Sequence, residues 1–282
     1  MDYKAEMQVK VARLTAAAKA YYQEDREIMS NYEYDKLYDE LVELEAKTGI
    51  ILANSPTLAV GYEVQEQLPK EAHESTMLSL DKTKERDVLK TFIGEQPTLL
   101  SWKLDGLTVV LHYLEGKLNK AITRGNGRIG EIVTSNAKVF SNIPVQIPFK
   151  GALVLRGEAV ITYADFKKIN DEIADVDAHY KNPRNLCSGS VRQLNNEITA
   201  KRHVHFYAFS LVSATGKEFN NSHEQQIKWL AKQGFEIVEY IKVTASTADV
   251  ALDYFAENVG ANNLPSDGLV AIYDDIIYGE SL

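Results

Sequence analysis

One cysteine, Cys187, in 282 residues excludes an internal disulfide and any zinc site built from several cysteines. Apolar runs are short, and none approaches the roughly 20 residues that a bilayer-spanning helix needs. The N-terminus, Met-Asp-Tyr-Lys-Ala-Glu, has neither the basic nor the apolar region of a secretion signal, so the chain is expected to be cytoplasmic. Positive charge is in deficit: 31 Lys and Arg stand against 40 Asp and Glu, a formal net charge of −9. That excludes a grip on nucleic acid over the whole surface, though not a local one. Internal repeats and low-complexity stretches are also absent.

What is present is an ordinary globular composition, 45% hydrophobic and 25% charged, long enough for one large domain with an appendage. The charge is uneven. Residues 1–70 hold 8 Lys and Arg against 13 Asp and Glu, whereas residues 181–202 hold five cations, Lys181, Arg184, Arg192, Lys201 and Arg202, against Glu197 alone. An acidic cap and a basic stripe can sit on one molecule.

Periodicity predicts a helix over residues 4–24, with Val11, Leu14, Ala18, Tyr21 and Tyr22 on one face. A capping box at Ser30 and Glu33 starts a second helix, whose face of Tyr34, Leu37, Leu41 and Leu44 runs until Gly49. Two such helices bury too little alone and should dock on something larger. Residues 50–95 lose periodicity and are expected to form a long connection. Strands dominate from 97 onward, with a hairpin at Glu115-Gly116 and a glycine-rich loop from Arg124 to Gly130 that reads as either a turn or a phosphate cradle. Further strands are expected at 152–160, 203–212, 235–243 and 265–273, with helices at 162–173, 182–194, 222–234 and 246–259.

Lys103-Leu-Asp-Gly106 is the stretch with the most chemistry. Apolar, β-branched and aromatic residues flank it on both sides, which predicts strand, Asp-Gly break, strand. A lysine at a buried strand end would be pulled toward the neutral, nucleophilic amine. Asp105 could orient that amine or a ribose hydroxyl, and Gly106 would let a ligand approach the backbone. Taken alone, the same four residues fit an ordinary Asp-Gly hairpin turn. Arg156 and Glu158, on an apolar strand, need a partner or a ligand; a plain Arg/Glu pair would serve.

Ten motifs in order resemble the N-terminal half of bacterial NAD-dependent DNA ligases. They are Tyr32-Glu-Tyr-Asp35, Ser55-Pro-Thr57, Met77-Leu-Ser-Leu-Asp81, Lys103-Leu-Asp-Gly106, Thr123-Arg-Gly125 with Gly127 and Gly130-Glu131, Arg156-Gly-Glu158, Asn182-Pro-Arg-Asn185, Gly189-Ser190 with Arg192-Gln-Leu194, Thr199-Ala-Lys-Arg202, and Asp267-Gly268. The resemblance implies an α+β fold: a helical subdomain binding nicotinamide mononucleotide over about 1–68, then a nucleotidyltransferase domain of antiparallel sheets and helices over about 69–282, C-terminally incomplete. It implies that Lys103 attacks NAD to give lysyl-AMP, and that the AMP passes to the 5′-phosphate of nicked double-stranded DNA, with Mg²⁺ assisting in a monomeric protein.

By the same resemblance Tyr21, Tyr22, Asn31, Tyr34 and Asp35 lie at the nicotinamide mononucleotide half. Ser79, Leu80 and Ser101 lie at the adenine, Asp105, Gly106, Arg124 and Glu158 around the ribose, and Arg184, Arg192 and Arg202 near phosphates. For the tyrosines helix packing is the plainer reading, and for the arginines a solvated basic face. The chain departs from the family's pattern at several places. Ser101 stands where Glu is usual, Tyr22 where His is, Asn31 and Asn126 where Asp is, and Ile272 where a lysine follows the last Asp-Gly. It stops at Leu282, before the family's second lysine-bearing motif and its oligonucleotide-binding, zinc, helix-hairpin-helix and BRCT regions, so an adenylation fragment of a divergent subfamily is expected. Three alternatives stay open: a weakened relic that only binds nucleotide or DNA, an ATP-dependent nucleotidyltransferase sharing Lys-x-Asp-Gly, and a domain without a ligand.

Overall fold

The computed structural model describes residues 2–24, 26, 28–58, 65–73, 81–175 and 178–282; of residues 21–24 and Asn31 only the backbone is described. Helix α1 (Tyr3–Glu24) and helix α2 (Asn31–Thr48) pack through Met7, Val11, Leu14, Leu37 and Leu41. Each such buried apolar side chain contributes about 1.5–3 kcal/mol. The expected capping box is present: the Ser30 hydroxyl accepts the Glu33 N–H, and the Glu33 carboxylate accepts the Ser30 N–H. Gly49, at φ 69°, closes the helix in the left-handed region.

The helix pair is stitched onto a larger body, as its small core requires. Strand β1 (Ile51–Leu52) follows α2 directly, and further on come β2 (Lys70–Ala72) and helix α3 (Arg86–Ile93). The described part of residues 50–95 thus holds three short elements that the lost periodicity of this connection does not show. Strands of two and three residues are too short to show a period, and they are set by partners far along the chain. Ala53 N–H donates to the Ile143 carbonyl (2.7 Å), and Gln8 Nε2 donates to Glu236 Oε1 (2.6 Å), fastening the helices to the body.

The body alternates strands and helices. In order these are β3 (Thr98–Leu104), β4 (Leu107–Leu114), β5 (Lys117–Thr123), β6 (Ile129–Glu131), α4 (Thr134–Ala137), β7 (Pro144–Gln146), β8 (Leu153–Val160), α5 (Tyr163–Asp171), α6 (Pro183–Val191) and α7 (Asn196–Lys201). Then follow β9 (His205–Ala214), α8 (His223–Lys232), β10 (Tyr240–Val243), α9 (Ala248–Asn258), β11 (Ser266–Tyr273) and α10 (Ile276–Glu280). Among the described residues the strands make an antiparallel sheet of order β1-β7-β5-β4-β8-β9, a smaller one of order β10-β3-β11, and a β2-β6 ribbon. The architecture is the expected α+β mixture of antiparallel sheets and helices.

Each sheet has its own core. Val109, Leu111 and Tyr113 of β4 join Leu153 and Leu155 of β8, Phe206 of β9 and Leu230 of α8 under the large sheet. Leu100, Trp102 and Leu104 of β3 meet Ile93, Ala251 and Phe255 under the small one, with Trp102 edge-on to Phe255 at 4.7 Å between ring centroids. The Glu115-Gly116 hairpin joins β4 to β5 as expected, both residues at positive φ.

Asp105-Gly106 is not a hairpin. Strands β3 and β4 belong to different sheets, so this dipeptide carries the chain from one to the other. The apolar run 235–243 crosses back. Phe235 sits in the large core, Ile237 makes a single parallel bridge to Ala208, and only Tyr240–Val243 pairs in the small sheet. That is why the strand expected over the whole run is half as long.

Candidate active site at the junction of the two sheets

Alternation along β3 decides where the lysine points. Trp102 and Leu104 are buried in the small core, so Lys103 between them faces the opposite side of the strand. Its side chain is 38% exposed and its Nζ lies 3.0 Å from Asp267 Oδ2. The burial on which a neutral amine was expected is absent.

A β-bulge puts Asp267 there. Ser266 opposes Leu104 and Leu269 opposes Trp102, so Asp267 and Gly268 together face Lys103. Gly268, at φ +104°, takes the backbone conformation this requires. The bond from Lys103 and its charge hold the Asp267 carboxyl below the usual carboxylate range. Asp267 was missed as a site residue in the sequence, although its Asp-Gly motif was visible, because 164 residues separate it from Lys103.

The crossing supplies further polar groups beside the lysine strand. Asp105 N–H donates to the Pro265 carbonyl (2.8 Å), and Arg184 Nη1 donates to Asp105 Oδ1 (2.9 Å). Arg184 stands on the first turn of α6, which Asn182 caps by accepting the Asn185 N–H, with Pro183 opening the helix. Gly106 N–H donates to Glu158 Oε1 (3.1 Å), and Thr108 Oγ1 donates to Glu158 Oε2 (2.8 Å). Burial pushes the Glu158 carboxyl up to about 7, against the pull of these two bonds and of the Arg184 charge. Gly106 is required by the fold itself: a Cβ there would lie 1.9 Å from the Ala159 carbonyl oxygen, so glycine admits β8.

Arg124 follows β5, its N–H donating to the Thr108 carbonyl (2.9 Å). Its charge, after burial, helps lower the pKa of Arg156. Lys103, Asp105, Gly106, Arg124, Glu158 and Arg184 are thus brought together. Ser101 lies on the same strand face as Lys103, opposite Tyr240 and Val270. Ile272 opposes Leu99 farther along the same sheet.

Other expected residues are engaged elsewhere. Arg192 Nε contacts Glu131 Oε2 at 2.8 Å, as a charge contact not aligned as a hydrogen bond. Arg202 lies over the Tyr180 ring, 5.0 Å from its centroid. Tyr34 packs against the core of the helix pair, the plainer of its two readings, and Asp35 is exposed on α2. The side chains of Tyr21, Tyr22 and Asn31, and the whole of Ser79 and Leu80, lie outside the described residues.

A lysine amine beside a carboxylate, the Arg184 guanidinium and a hydrogen-bonded carboxyl of raised pKa can hold a phosphorylated ribose and attack its phosphorus. Among the described residues no group of three or more His, Cys, Asp or Glu could hold a metal ion, and no helix is long and apolar enough to cross a membrane.

Residues 65–282 match the family described as NAD-dependent DNA ligase adenylation domain, and residues 1–61 the family described as DNA ligase-like, N-terminal NAD+-binding domain. A DNA ligase of Ruminiclostridium cellulolyticum is 59% identical over 276 residues, covering 98% of this chain and 42% of that one. A DNA ligase of Lachnoclostridium phytofermentans is 58% identical over 269 residues, 95% of this chain and 41% of that one. The chain spans about two fifths of the length of these curated relatives. An archaeal ATP-dependent RNA ligase overlaps it with a TM-score of 0.43 at 14% identity, over 71% of this chain and 46% of the other, and nothing about the site follows from that. With both matches spanning nearly its full length and relatives this similar, the chain belongs to the NAD-dependent DNA ligase family, of which it carries the N-terminal NAD+-binding and adenylation domains.

Proposed function

We propose that the chain performs the adenylation half-reaction of an NAD-dependent DNA ligase. Lys103 Nζ attacks the phosphorus that carries adenosine in NAD. The nitrogen first gives up one proton to solvent; then a P–N bond forms, the pyrophosphate P–O bond breaks, and nicotinamide mononucleotide leaves with the electron pair while the nitrogen gives up a second proton to solvent. The observation that carries this reading is the junction itself, where Lys103 stands near the end of β3 and Glu158 of the other sheet accepts the Gly106 N–H of the Asp105-Gly106 crossing.

Each residue then has a task in this reading. Asp267 aims the ammonium until substrate phosphates compete for it; a carboxyl already held low is a weak base, so it orients and does not deprotonate. Glu158, on the Gly106 N–H and the Thr108 hydroxyl, accepts from a ribose hydroxyl once ionised. Arg184 trades Asp105, and Arg124 its present neighbours, for phosphate oxygens, with Arg192 and Arg202 serving phosphates farther along. Ser101, Ser79 and Leu80 border the adenine. Tyr21, Tyr22, Asn31, Tyr34 and Asp35 take the nicotinamide half, on a helical unit of residues 1–68 set against a nucleotidyltransferase unit of 69–282. Mg²⁺ would be held by substrate phosphates together with a carboxylate, Asp105 or Asp267, and would supply charge neutralisation there. The AMP is destined for the 5′-phosphate of nicked duplex DNA in the longer protein, a monomer working in the cytoplasm.

Intact-mass measurement tests this. Incubation with NAD should add one AMP to the wild type and none to Lys103→Ala. Labelling by ATP but not NAD would reassign the chain to ATP-dependent nucleotidyl transfer, and calorimetric binding without an adduct would make it a non-catalytic binder.

A further inference from the structure

The glycine-rich turn after β5 has two residues at positive φ, Gly125 at 57° and Gly127 at 88°, and such a backbone has little stiffness of its own. Arg124 begins this turn, so its aim depends on how the turn is tied down. One residue outside the turn holds both of its ends. His73 N–H donates to the Arg128 carbonyl (2.8 Å), and the His73 ring Nε2 lies 3.1 Å from the Arg124 carbonyl. A carbonyl can only accept, so Nε2 carries the proton, which fixes the tautomer of the neutral ring.

The tie has a firm base and leads to the reacting groups. His73 directly follows β2, which is paired with β6 through Lys70 with Glu131, Glu71 with Gly130, and Ala72 with Ile129. Lys120 of β5 clasps the Glu71 carboxylate with 2.7 Å contacts to both oxygens. On the far side, the Arg124 carbonyl also accepts the Gly127 N–H (3.0 Å), and its N–H reaches the carbonyl of Thr108, whose hydroxyl holds Glu158. Inside the turn Asn126 Oδ1 accepts the N–H groups of Arg128 and Ile129, which shapes the turn without attaching it to anything else.

We propose that His73 is a positioning residue for Arg124, fixing the glycine-rich turn so that the guanidinium is set before nucleotide arrives. This rests on the reading that Arg124 meets NAD. Two variants separate positioning from general support: His73→Ala removes the donor, whereas His73→Gln places an amide N–H where Nε2–H was.

Single-turnover lysyl-AMP formation across NAD concentrations is the readout. His73→Ala should raise the half-saturating NAD concentration about tenfold, the effect of losing one hydrogen bond, with the limiting rate changed less than about twofold. His73→Gln should return it to within about twofold, and His73→Ala should add nothing in an Arg124→Ala background. Hydrogen exchange of the Gly127 amide, which needs no activity, should quicken about tenfold in His73→Ala and not in His73→Gln. Unchanged exchange in His73→Ala, a defect that Gln does not rescue, or a full additive loss with Arg124→Ala would overturn the proposal. If the wild type forms no lysyl-AMP, the functional reading fails and the exchange data alone decide whether His73 fixes the turn.

Discussion

Lys103 Nζ and Asp267 Oδ2 lie 3.0 Å apart across a β-bulge, near the strand end from which the chain passes to the other sheet. The Asp267 side chain is 67% exposed, so the pair contributes little to stability; exposed pairs are worth about 0–1 kcal/mol. Its value is in aim. Asp267→Asn should leave the urea midpoint nearly unchanged while slowing lysyl-AMP formation about 10- to 100-fold, the scale of a misplaced nucleophile. Quenched-flow sampling with mass detection measures this, and an unchanged rate would remove Asp267 from the site.

Glu158 gives the fold a pH dependence of known sign. Its folded pKa of about 7 lies above its ordinary value, so the protonated form is favoured in the folded chain. The stability this carries is fully present below the ordinary carboxyl pKa, near 4.5, and is lost as pH rises through about 7, a total of about 3 kcal/mol. Urea unfolding of wild type minus Glu158→Gln should therefore fall by about that amount between pH 5 and pH 8. Lysyl-AMP formation should run the other way, rising through pH 7 as the carboxylate becomes able to accept a hydroxyl. A difference curve flat in pH would contradict both.

Two glycines should respond oppositely to alanine. At Gly106 a Cβ would fall 1.9 Å from the Ala159 carbonyl oxygen, a backbone clash, so Gly106→Ala should destabilise by about 3 kcal/mol or prevent folding. Gly189 lies within helix α6, and a methyl added there would meet nothing within 4 Å, so Gly189→Ala should stabilise by about 0.5–1 kcal/mol. Denaturant midpoints of the pair test whether Gly106 serves the passage between sheets.

Local chemistry was legible in the sequence; distant pairing was not. Ser30 with Glu33, and Glu115 with Gly116, specify their cap and hairpin within a few residues, and both stand where expected. The lysine was legible too, but its surroundings were not. Asp105-Gly106 reads locally as a turn, and only the pairing of β3 with β10 and β11, and of β4 with β5 and β8, turns it into a passage between sheets. For the same reason the sequence suggested a buried amine where the structure has a half-exposed one. Ser55 and Thr57 are a further case. As a Ser-Pro-Thr motif they carried no evident task, yet their hydroxyls donate to the buried Glu45 carboxylate at 2.6 and 2.7 Å, tying the segment after β1 back to α2.

Peptide mapping of the protein after exposure to NAD tests the central claim most directly, because it locates the adduct as well as detecting it. AMP should be found on the peptide containing Lys103 and on no other, and nicotinamide mononucleotide should appear in equal amount. AMP on a different residue, or NAD returned intact with Lys103 unmodified, would contradict the assignment of that lysine as the nucleophile.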